Sequence, residues 1–304
     1  MHERRARDAG RKAETDMPGL LRRLRPRPQW LLLVPALTLL AWILLVPLGN
    51  SFLRSVGNGD WTLRHYESLF TDGVTMRVLV RTALTAAAVT VIAFLLGYPY
   101  AYLMTRVGPR MRGVLLIIVL IPFWTSVMAR NYAWIVILQR NGPVHSFFEL
   151  FGLDVVLYGT VAGVTVAMSQ VLLPFMVLPL FSALSGIDRR LLLAARGLGS
   201  HPLVAFWKIY WPLSRAGVVA GLILVFTLSL GFYVTPALLG SPQQSLVAQL
   251  LGQRTTLLLD FSGAGALGML VLVVTLVLVA WANRLGGTIS AIGVVAAART
   301  KDQP

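Results

Sequence analysis

Long apolar runs alternate with short polar segments along most of this chain. The runs occupy residues 30–48, 79–104, 113–138, 158–184, 216–239 and 264–281. Several of them exceed the roughly 18 apolar residues that suffice for a helix to cross a bilayer. The pattern therefore predicts an all-α, polytopic membrane protein with six transmembrane helices. Pro122 lies inside the third run, where it predicts a kink.

The composition supports the membrane prediction. The chain has 304 residues, of which 56% are hydrophobic and only 13% are charged, and its mean hydropathy is +0.72. A soluble domain carries about 25% charged residues. There is no cysteine, which excludes disulfides, thiol chemistry and cysteine metal sites.

The basic residues are distributed unevenly between the polar segments. Twenty of the 27 Lys and Arg residues fall within four segments, at 1–29, 105–113, 185–215 and 282–304. Six spans place these four segments on one side, and the positive-inside rule makes that side the cytoplasm. We expect a multi-pass inner (plasma) membrane protein with both termini cytoplasmic. The net charge of +15 then reflects topology and membrane lipid, and no nucleic-acid partner is expected.

One charged stretch between the fourth and fifth runs has helical periodicity. Leu191, Leu192, Ala195 and Leu198 recur at helical spacing, as do Val204, Ala205 and Ile209. The sequence GSHP at 199–202 interrupts them. Glycine can end one helix, Ser200 can cap the next, and proline fits a first helical turn. The pattern predicts a helix, a tight turn and a second amphipathic helix at the membrane surface.

Several kinds of chemistry are missing from the sequence. No G-x-x-x-x-G-K-[ST] loop occurs, and the four histidines are scattered without a metal-binding or paired-carboxylate motif. We therefore expect no catalytic residue, no metal site, no cofactor and no enzyme activity. No acidic residue lies inside a predicted span, which argues against a proton-coupled carrier. An ATP-driven mechanism would need a partner ATPase.

The charged stretch resembles a known cytoplasmic loop. Ala194-Ala195, Gly199, Ile209 and Pro212 match the pattern Glu-Ala-Ala, three residues, Gly, nine residues, Ile, one residue, Leu, Pro. This loop is found in permeases of bacterial ATP-binding-cassette importers. Leu193 and Trp211 depart from the pattern, in place of its Glu and Leu.

Further segments resemble the polyamine-type branch of these permeases. They are IPFWTS at 121–126, Arg130, YAW at 132–134 and SLGFYVTPALLG at 229–240. The resemblance implies a MetI-like permease fold with a core at 75–285 containing a coupling loop at 185–214. Residues 30–74 would form the first transmembrane helix and an external loop. Basic cytoplasmic tails would flank these parts at 1–29 and 286–304.

The resemblance also implies partners and a solute. The partners are a cytoplasmic ATPase dimer, a second, homologous permease subunit and a periplasmic or surface solute-binding protein. The solute would be a small cationic organic molecule, such as spermidine or putrescine. Alternatives are another amine, an aminoethylphosphonate or a sugar, and, outside this class of importer, a gradient-driven carrier that works alone.

Two sets of candidate site residues follow. The ATPase-coupling set comprises Ala194, Ala195, Leu198, Gly199, Ser200, His201, Phe206, Trp207, Ile209 and Pro212. Its alternative is an amphipathic hairpin that rests at the interface without a partner. The translocation-path set comprises Trp124, Thr125, Ser126, Asn131, Tyr132, Gln170, Ser229, Tyr233 and Thr235. Its alternative is ordinary helix packing with an aromatic belt. Arg130 would hold an outer gate or extend to the headgroups.

Overall fold

The computed structural model describes residues 28–57 and 61–299. Those residues form helices and connections and contain no β-strand. The helices are α1 (Pro28–Ser55), α2 (Arg64–Thr71), α3 (Gly73–Arg106), α4 (Pro109–Trp124), α5 (Val127–Leu138), α6 (Pro143–Glu149), α7 (Val161–Ser185), α8 (Arg189–Gly197), α9 (Pro202–Ala205), α10 (Trp211–Leu230), α11 (Val234–Leu239), α12 (Val247–Thr256) and α13 (Phe261–Arg299). A π-helical turn, Phe206–Tyr210, joins α9 to α10.

The described residues contain five helical segments that are long and apolar enough to cross a membrane. They are Leu33–Ser55, Gly73–Arg106, Val161–Ser185, Leu203–Leu230 and Phe261–Trp281. A bent pair, Pro109–Trp124 with Val127–Glu149, gives a sixth if it forms one span. The predicted all-α class is confirmed. Most of the predicted tail at 1–29, and residues 300–304 of the other tail, lie outside the described residues.

The chain divides into two compact units, residues 1–51 and 52–304. In its described part the first unit consists of α1 up to Ser51, with Pro35 and Pro47 inside the helix. The packed core belongs to the second unit. So does the charged stretch at 185–214, called the charged hairpin below.

The centre of the second unit is a three-helix packing of α3, α7 and α10. Every fourth residue of α7 is buried along one stripe, comprising Met168, Leu172, Met176, Leu180 and Leu184. Gly217 of α10 lies against α7, where an added Cβ would be 2.4 Å from the Cβ of Ala183. In a bilayer, helices associate through such close packing of small residues, because lipid tails remove most of the hydrophobic driving force.

A smaller apolar cluster joins α2, α3, α12 and α13 through buried side chains that include Leu69, Val247 and Leu267. Arg254 connects the same elements by polar contacts. Its Nη2 donates to Thr75 Oγ1 at 2.8 Å and lies 3.6 Å from the Asp72 carboxylate. Asp72 also caps α3, and the hydrogen bond from Thr75 lowers the pKa of this carboxyl below its ordinary value.

Two predicted spans are interrupted in the structure. The third was predicted as one helix kinked at Pro122, but α4 ends at Trp124 and the next segment turns by 99°. The fifth was predicted to continue through residue 239, but α10 ends at Leu230 and a short α11 follows. In both cases the hydrophobicity continues across the break, so an apolar run alone could not reveal it.

Candidate functional site

The charged hairpin has the predicted helix, turn and helix. α8 ends at Gly197. Gly199 follows in the left-handed region, at φ 78°, and Ser200 N–H donates to Ala195 O at 3.0 Å. This is the hydrogen bond of a glycine-ended helix, in which only glycine avoids a steric penalty. Pro202 takes the first position of α9, as predicted.

The predicted cap of the second helix is wrong by one residue. His201, not Ser200, precedes Pro202. The carbonyl oxygen of His201 accepts from Ala205 N–H at 3.0 Å. Its Nδ1 accepts from Leu203 N–H at 3.4 Å. The imidazole thus supplies the acceptor that a hydroxyl was expected to provide.

The two faces of the hairpin differ. On the open face Leu198 is 89% exposed, and Leu203 and Trp207 are also exposed. Ala194 of α8 is exposed as well, as are the turn residues Gly199 and His201. The half-buried residues are Ala195, Ser200, Ile209 and Pro212. Ala205 and Tyr210 are buried on the inner face. The side chain of Leu193, where the sequence departs from the loop pattern, lies outside the described residues.

Phe206 belongs to the inner face, although the sequence placed it in the ATPase-coupling set. Its ring lies edge-on to Tyr98 and Tyr102 of α3, with centroid distances of 6.1 and 6.2 Å. It also stacks on Tyr210 at 5.9 Å. The π-helical turn contains both aromatic rings, and such turns are frequent at functional sites.

This aromatic cluster joins the hairpin to α3. Tyr102 contacts Tyr210 at 5.2 Å, and Tyr98 contacts Trp211 at 5.7 Å. The Tyr98 hydroxyl lies 3.1 Å from Ser214 Oγ, which joins α3 to α10 by a buried hydrogen bond. Ring pairs of this kind add about 0.5–1.5 kcal/mol each beyond their buried area. The hairpin is therefore fixed to one long transmembrane helix.

Sequence reasoning missed Tyr98, Tyr102 and Tyr210. The signal was present as spacing, because Tyr98 and Tyr102 are four residues apart on one helix and Phe206 and Tyr210 repeat that interval. Residues at i and i+4 lie on the same helical face. Nothing in the sequence states that the two pairs face each other, so their contact required the structure.

The break between α4 and α5 has a cap made by side chains. The carbonyl of Pro122 accepts from Thr125 Oγ1 at 3.0 Å and from Arg130 Nη1 at 2.5 Å. A cation near a helix C-terminus also offsets the partial negative charge there. Arg130 therefore holds the bend by hydrogen bonding, whereas the sequence suggested a gate or contact with headgroups.

The structure separates the path candidates into two groups. Exposed side chains are Trp124, Thr125, Ser126, Tyr132, Gln170 and Tyr233. Buried side chains are Asn131, Ser229 and Thr235. Trp134 Nε1 donates to Gln170 Oε1 at 3.0 Å and joins α5 to α7.

The buried group is only partly hydrogen-bonded. Ser229 Oγ donates to Val225 O within α10 at 2.7 Å, and Asn131 Nδ2 donates to Val127 O at 2.8 Å. Asn131 Oδ1, Thr235 Oγ1 and Arg130 Nε have no hydrogen-bond partner among the described residues. Helix α5, which carries Arg130 and Asn131, packs against α11, which carries Thr235. Three of the four buried unpaired side-chain atoms of the described residues therefore lie around the broken span, and the fourth is Thr85 Oγ1 on α3.

The described residues contain no group of three or more His, Asp or Glu side chains that could hold a metal ion. Two other candidate sites are present in the described residues. One is an exposed apolar hairpin held by aromatic rings. The other is a bent span with polar and aromatic side chains on open surfaces.

The chain is similar in sequence to membrane transport proteins. Residues 90–286 match the family described as "Binding-protein-dependent transport system inner membrane component". The spermidine/putrescine transport system permease protein PotB of Haemophilus influenzae is 32% identical over 79% of this chain and 87% of that protein. PotB of Escherichia coli is 29% identical over 84% of this chain and 94% of that protein.

A solved structure shares the fold. The crystal structure of a bacterial alginate ABC transporter, in complex with an alginate pentasaccharide-bound periplasmic protein, contains a chain with a TM-score of 0.69. The match covers 86% of this chain and 95% of that one, at 18% identity. The chain therefore belongs to the binding-protein-dependent inner-membrane component family, as a multi-pass permease subunit of an ATP-binding-cassette importer and not an enzyme.

Proposed function

We propose that this permease imports a small cationic organic solute of the polyamine class, such as spermidine or putrescine. It forms half of a paired channel with a second, homologous permease, and a cytoplasmic ATPase dimer drives it. A solute-binding protein delivers the solute to the segments at 49–78 and 139–157. Both termini and the hairpin at 185–214 lie in the cytoplasm.

The observation that carries the ATPase contact is the asymmetry of the hairpin. Leu198 is 89% exposed at its turn, whereas Phe206 on the other face is packed against α3. Trp207 is exposed on the same hairpin, and exposed apolar side chains there favour a protein partner, because Trp is enriched among the residues that anchor interfaces. Closure of the ATPases would then displace the hairpin and α3 together as a rigid body.

Co-purification tests this contact. We expect Leu198→Asp to abolish recovery of the cognate ATPase with the full-length permease, because it places a carboxylate inside an apolar interface. Met111→Asp is the matched control, since Met111 is also exposed at the end of the bundle near the hairpin but lies outside it. Equal recovery of the ATPase with both variants would reject the contact. Uptake that continues without any ATPase would identify a stand-alone carrier.

The solute proposal is supported by similarity to the two PotB proteins and by the side chains on the open surface of the bend. Trp124 and Tyr132 are exposed at the bend, and Tyr233 is exposed in the connection before α11. Aromatic faces attract ammonium groups, by about 0.5–1 kcal/mol at exposed sites. The charge of Arg130, which would repel a polyamine, is directed to the Pro122 carbonyl at the end of α4.

Uptake into proteoliposomes that contain the assembled importer tests the solute class. We expect radiolabelled spermidine or putrescine to accumulate with ATP, and Tyr132→Leu to reduce the initial rate several-fold. Tyr158→Leu is the control, because Tyr158 is exposed in the connection before α7. Failure of either polyamine to enter or compete, with uptake of a sugar or phosphonate instead, would reject the polyamine assignment but leave the hairpin mechanism untouched.

A further inference from the structure

An open groove follows the half of α3 that is remote from the hairpin. Its cavity volume is about 580 Å³, and α7 contributes its other wall at Val161. Arg77 and Arg81 lie towards one end, and the α3 lining continues through Leu84 to Ala88. We propose that this groove binds one phospholipid, with its phosphate on the two guanidinium groups and an acyl chain along the apolar part.

The polar end of the groove suits a phosphate. Arg77 donates from Nε to Gly73 O at 2.9 Å, and Arg81 donates from Nη1 to Gln243 O at 2.8 Å. These hydrogen bonds position both side chains. Because a guanidinium has five N–H donors, each side chain keeps further donors for a ligand. No acidic residue lines the groove, and α7 begins beside it at Val161. The local charge is therefore positive.

The length of the groove suits a lipid better than a soluble anion. Arg77 and Ala88 are eleven residues apart on one helix, which is about 16 Å at roughly 1.5 Å per residue. This is close to half of the roughly 30 Å hydrocarbon core of a bilayer. Arg106 lies about 38 Å beyond Arg81 by the same rise, near the opposite headgroup region. The groove thus extends from headgroup level to about the bilayer midplane.

Arg81 also connects the groove to a neighbouring loop. The segment at 240–246 follows α11, and Arg81 holds it through the carbonyls of Gln243 and Ser245. Thr82 accepts from Val247 N–H at 2.9 Å and fixes the end of the same segment. A lipid phosphate on Arg81 would therefore stabilise this loop against α3. The inference is independent of which solute is carried.

Native mass spectrometry and thermal unfolding of the purified full-length chain test the site. The probes are phosphatidylglycerol, a diacylglycerol with the same acyl chains, and glycerol phosphate. We expect one phosphatidylglycerol to be retained per chain and to raise the unfolding temperature by several degrees. Neither of the other probes should do so, because the diacylglycerol lacks the phosphate and glycerol phosphate lacks the acyl chain.

Variants separate this site from general surface attraction. We expect Arg77→Gln to weaken phosphatidylglycerol retention by about tenfold through the loss of charge-assisted hydrogen bonds. It leaves the contact of Arg81 with the loop intact, so the fold is preserved. Arg64→Gln removes an equal charge from exposed α2 and should have no effect. Ala88→Trp should occlude the apolar end, whereas Leu96→Trp, at an exposed site elsewhere on α3, should not.

Three results would overturn the proposal. Equal losses from Arg77→Gln and Arg64→Gln would indicate unspecific attraction by surface charge. Retention of glycerol phosphate as tightly as the phospholipid would indicate a soluble-anion site. Absence of retained phosphatidylglycerol would reject the lipid site, and oxidative disulfide cross-linking of Leu84→Cys to a cysteine introduced into the second permease would then show that the groove is a protein interface.

Discussion

The hairpin and the broken third span are both interruptions of helical structure, but they are held in different ways. The inner face of the hairpin has rings packed on rings, and Tyr98 of α3 forms a hydrogen bond with Ser214. The bend has one capped carbonyl, and Asn131 Oδ1 and Arg130 Nε are buried without partners in the described part of the chain. Each unpaired buried group costs about 1–3 kcal/mol.

This difference suggests that the hairpin and the bend have different roles during transport. Elements that move in a protein come from its less stable parts, where few interactions must be broken. The hairpin and α3 would move as one body, whereas the bend between α4 and α5 would change its geometry during transport. Substitutions in the hairpin and in the bend should therefore have separable effects.

The largest effect is expected at the centre of the aromatic cluster. Phe206→Ala removes ring contacts to Tyr98, Tyr102 and Tyr210, and it should lower the free energy of unfolding by about 3 kcal/mol. Solute-stimulated ATPase activity of the assembled importer should fall strongly while the ATPase remains bound. Trp281→Ala, at an exposed aromatic site on α13, is the control. Unchanged stimulation would show that the rings do not transmit movement.

A smaller effect is expected at the bend. Arg130→Gln removes the charged donor from the Pro122 carbonyl and should cost about 1.5–3 kcal/mol, the usual value for a hydrogen bond to a charged group. Transport should fall while ATPase recruitment is unchanged, because the hairpin is untouched. Arg130→Lys should restore part of the transport rate. Loss of ATPase binding in Arg130→Gln would contradict the separation of the two regions.

Removing one hydrogen bond while keeping the rings should have a still smaller effect. Tyr98→Phe deletes the hydroxyl that lies 3.1 Å from Ser214 Oγ, and it should cost about 1 kcal/mol. A double-mutant cycle with Ser214→Ala, measured by thermal unfolding, should show that the two losses are not additive. Full additivity would mean that the hydroxyls do not interact.

The smallest effect on stability is expected in the connection between α6 and α7. There Asp154 accepts hydrogen bonds from His145 Nε2 at 2.9 Å and from Arg140 Nη2 at 2.7 Å. The hydrogen bond from His145, followed by the charge of Arg140, lowers the pKa of Asp154. A lowered carboxyl pKa stabilises the folded form at pH values above the unfolded pKa of about 3.9. This contribution is lost as the pH falls from there through the lower pKa of the folded form.

A fluorophore at Phe151→Cys should therefore report loosening of this loop only below about pH 4, the ordinary range for this carboxyl. The chain has no cysteine of its own, so labelling is specific. Asp154→Asn should remove the transition. A transition that persists in Asp154→Asn would assign the effect to another group.

The sequence predicted the hairpin well because its determinants are local. Gly199 and Pro202 fix the turn through backbone conformations that few other residues favour. The family followed from the same twenty residues. The six apolar runs likewise predicted the all-α fold, since backbone groups in lipid must be satisfied within helices.

The breaks and the aromatic cluster depend on contacts between distant residues. Pro122 predicted a kink in a continuous helix, whereas the helix ends at Trp124 and the bend is held by Arg130, eight residues beyond Pro122. The contact of Tyr98 with Phe206 joins positions more than one hundred residues apart. No local pattern encodes such a pairing. The assignments to ATPase coupling and to the solute path remain predictions.

Paired spin labels in the assembled importer test the central claim most directly. One pair, Leu103→Cys with Leu203→Cys, spans α3 and the hairpin, and the other, Val114→Cys with Met128→Cys, spans the bend; all four side chains are exposed. On ATP binding, we expect the first distance to remain unchanged and the second to shift. A hairpin that moves relative to α3 while the bend keeps its distance would contradict the account.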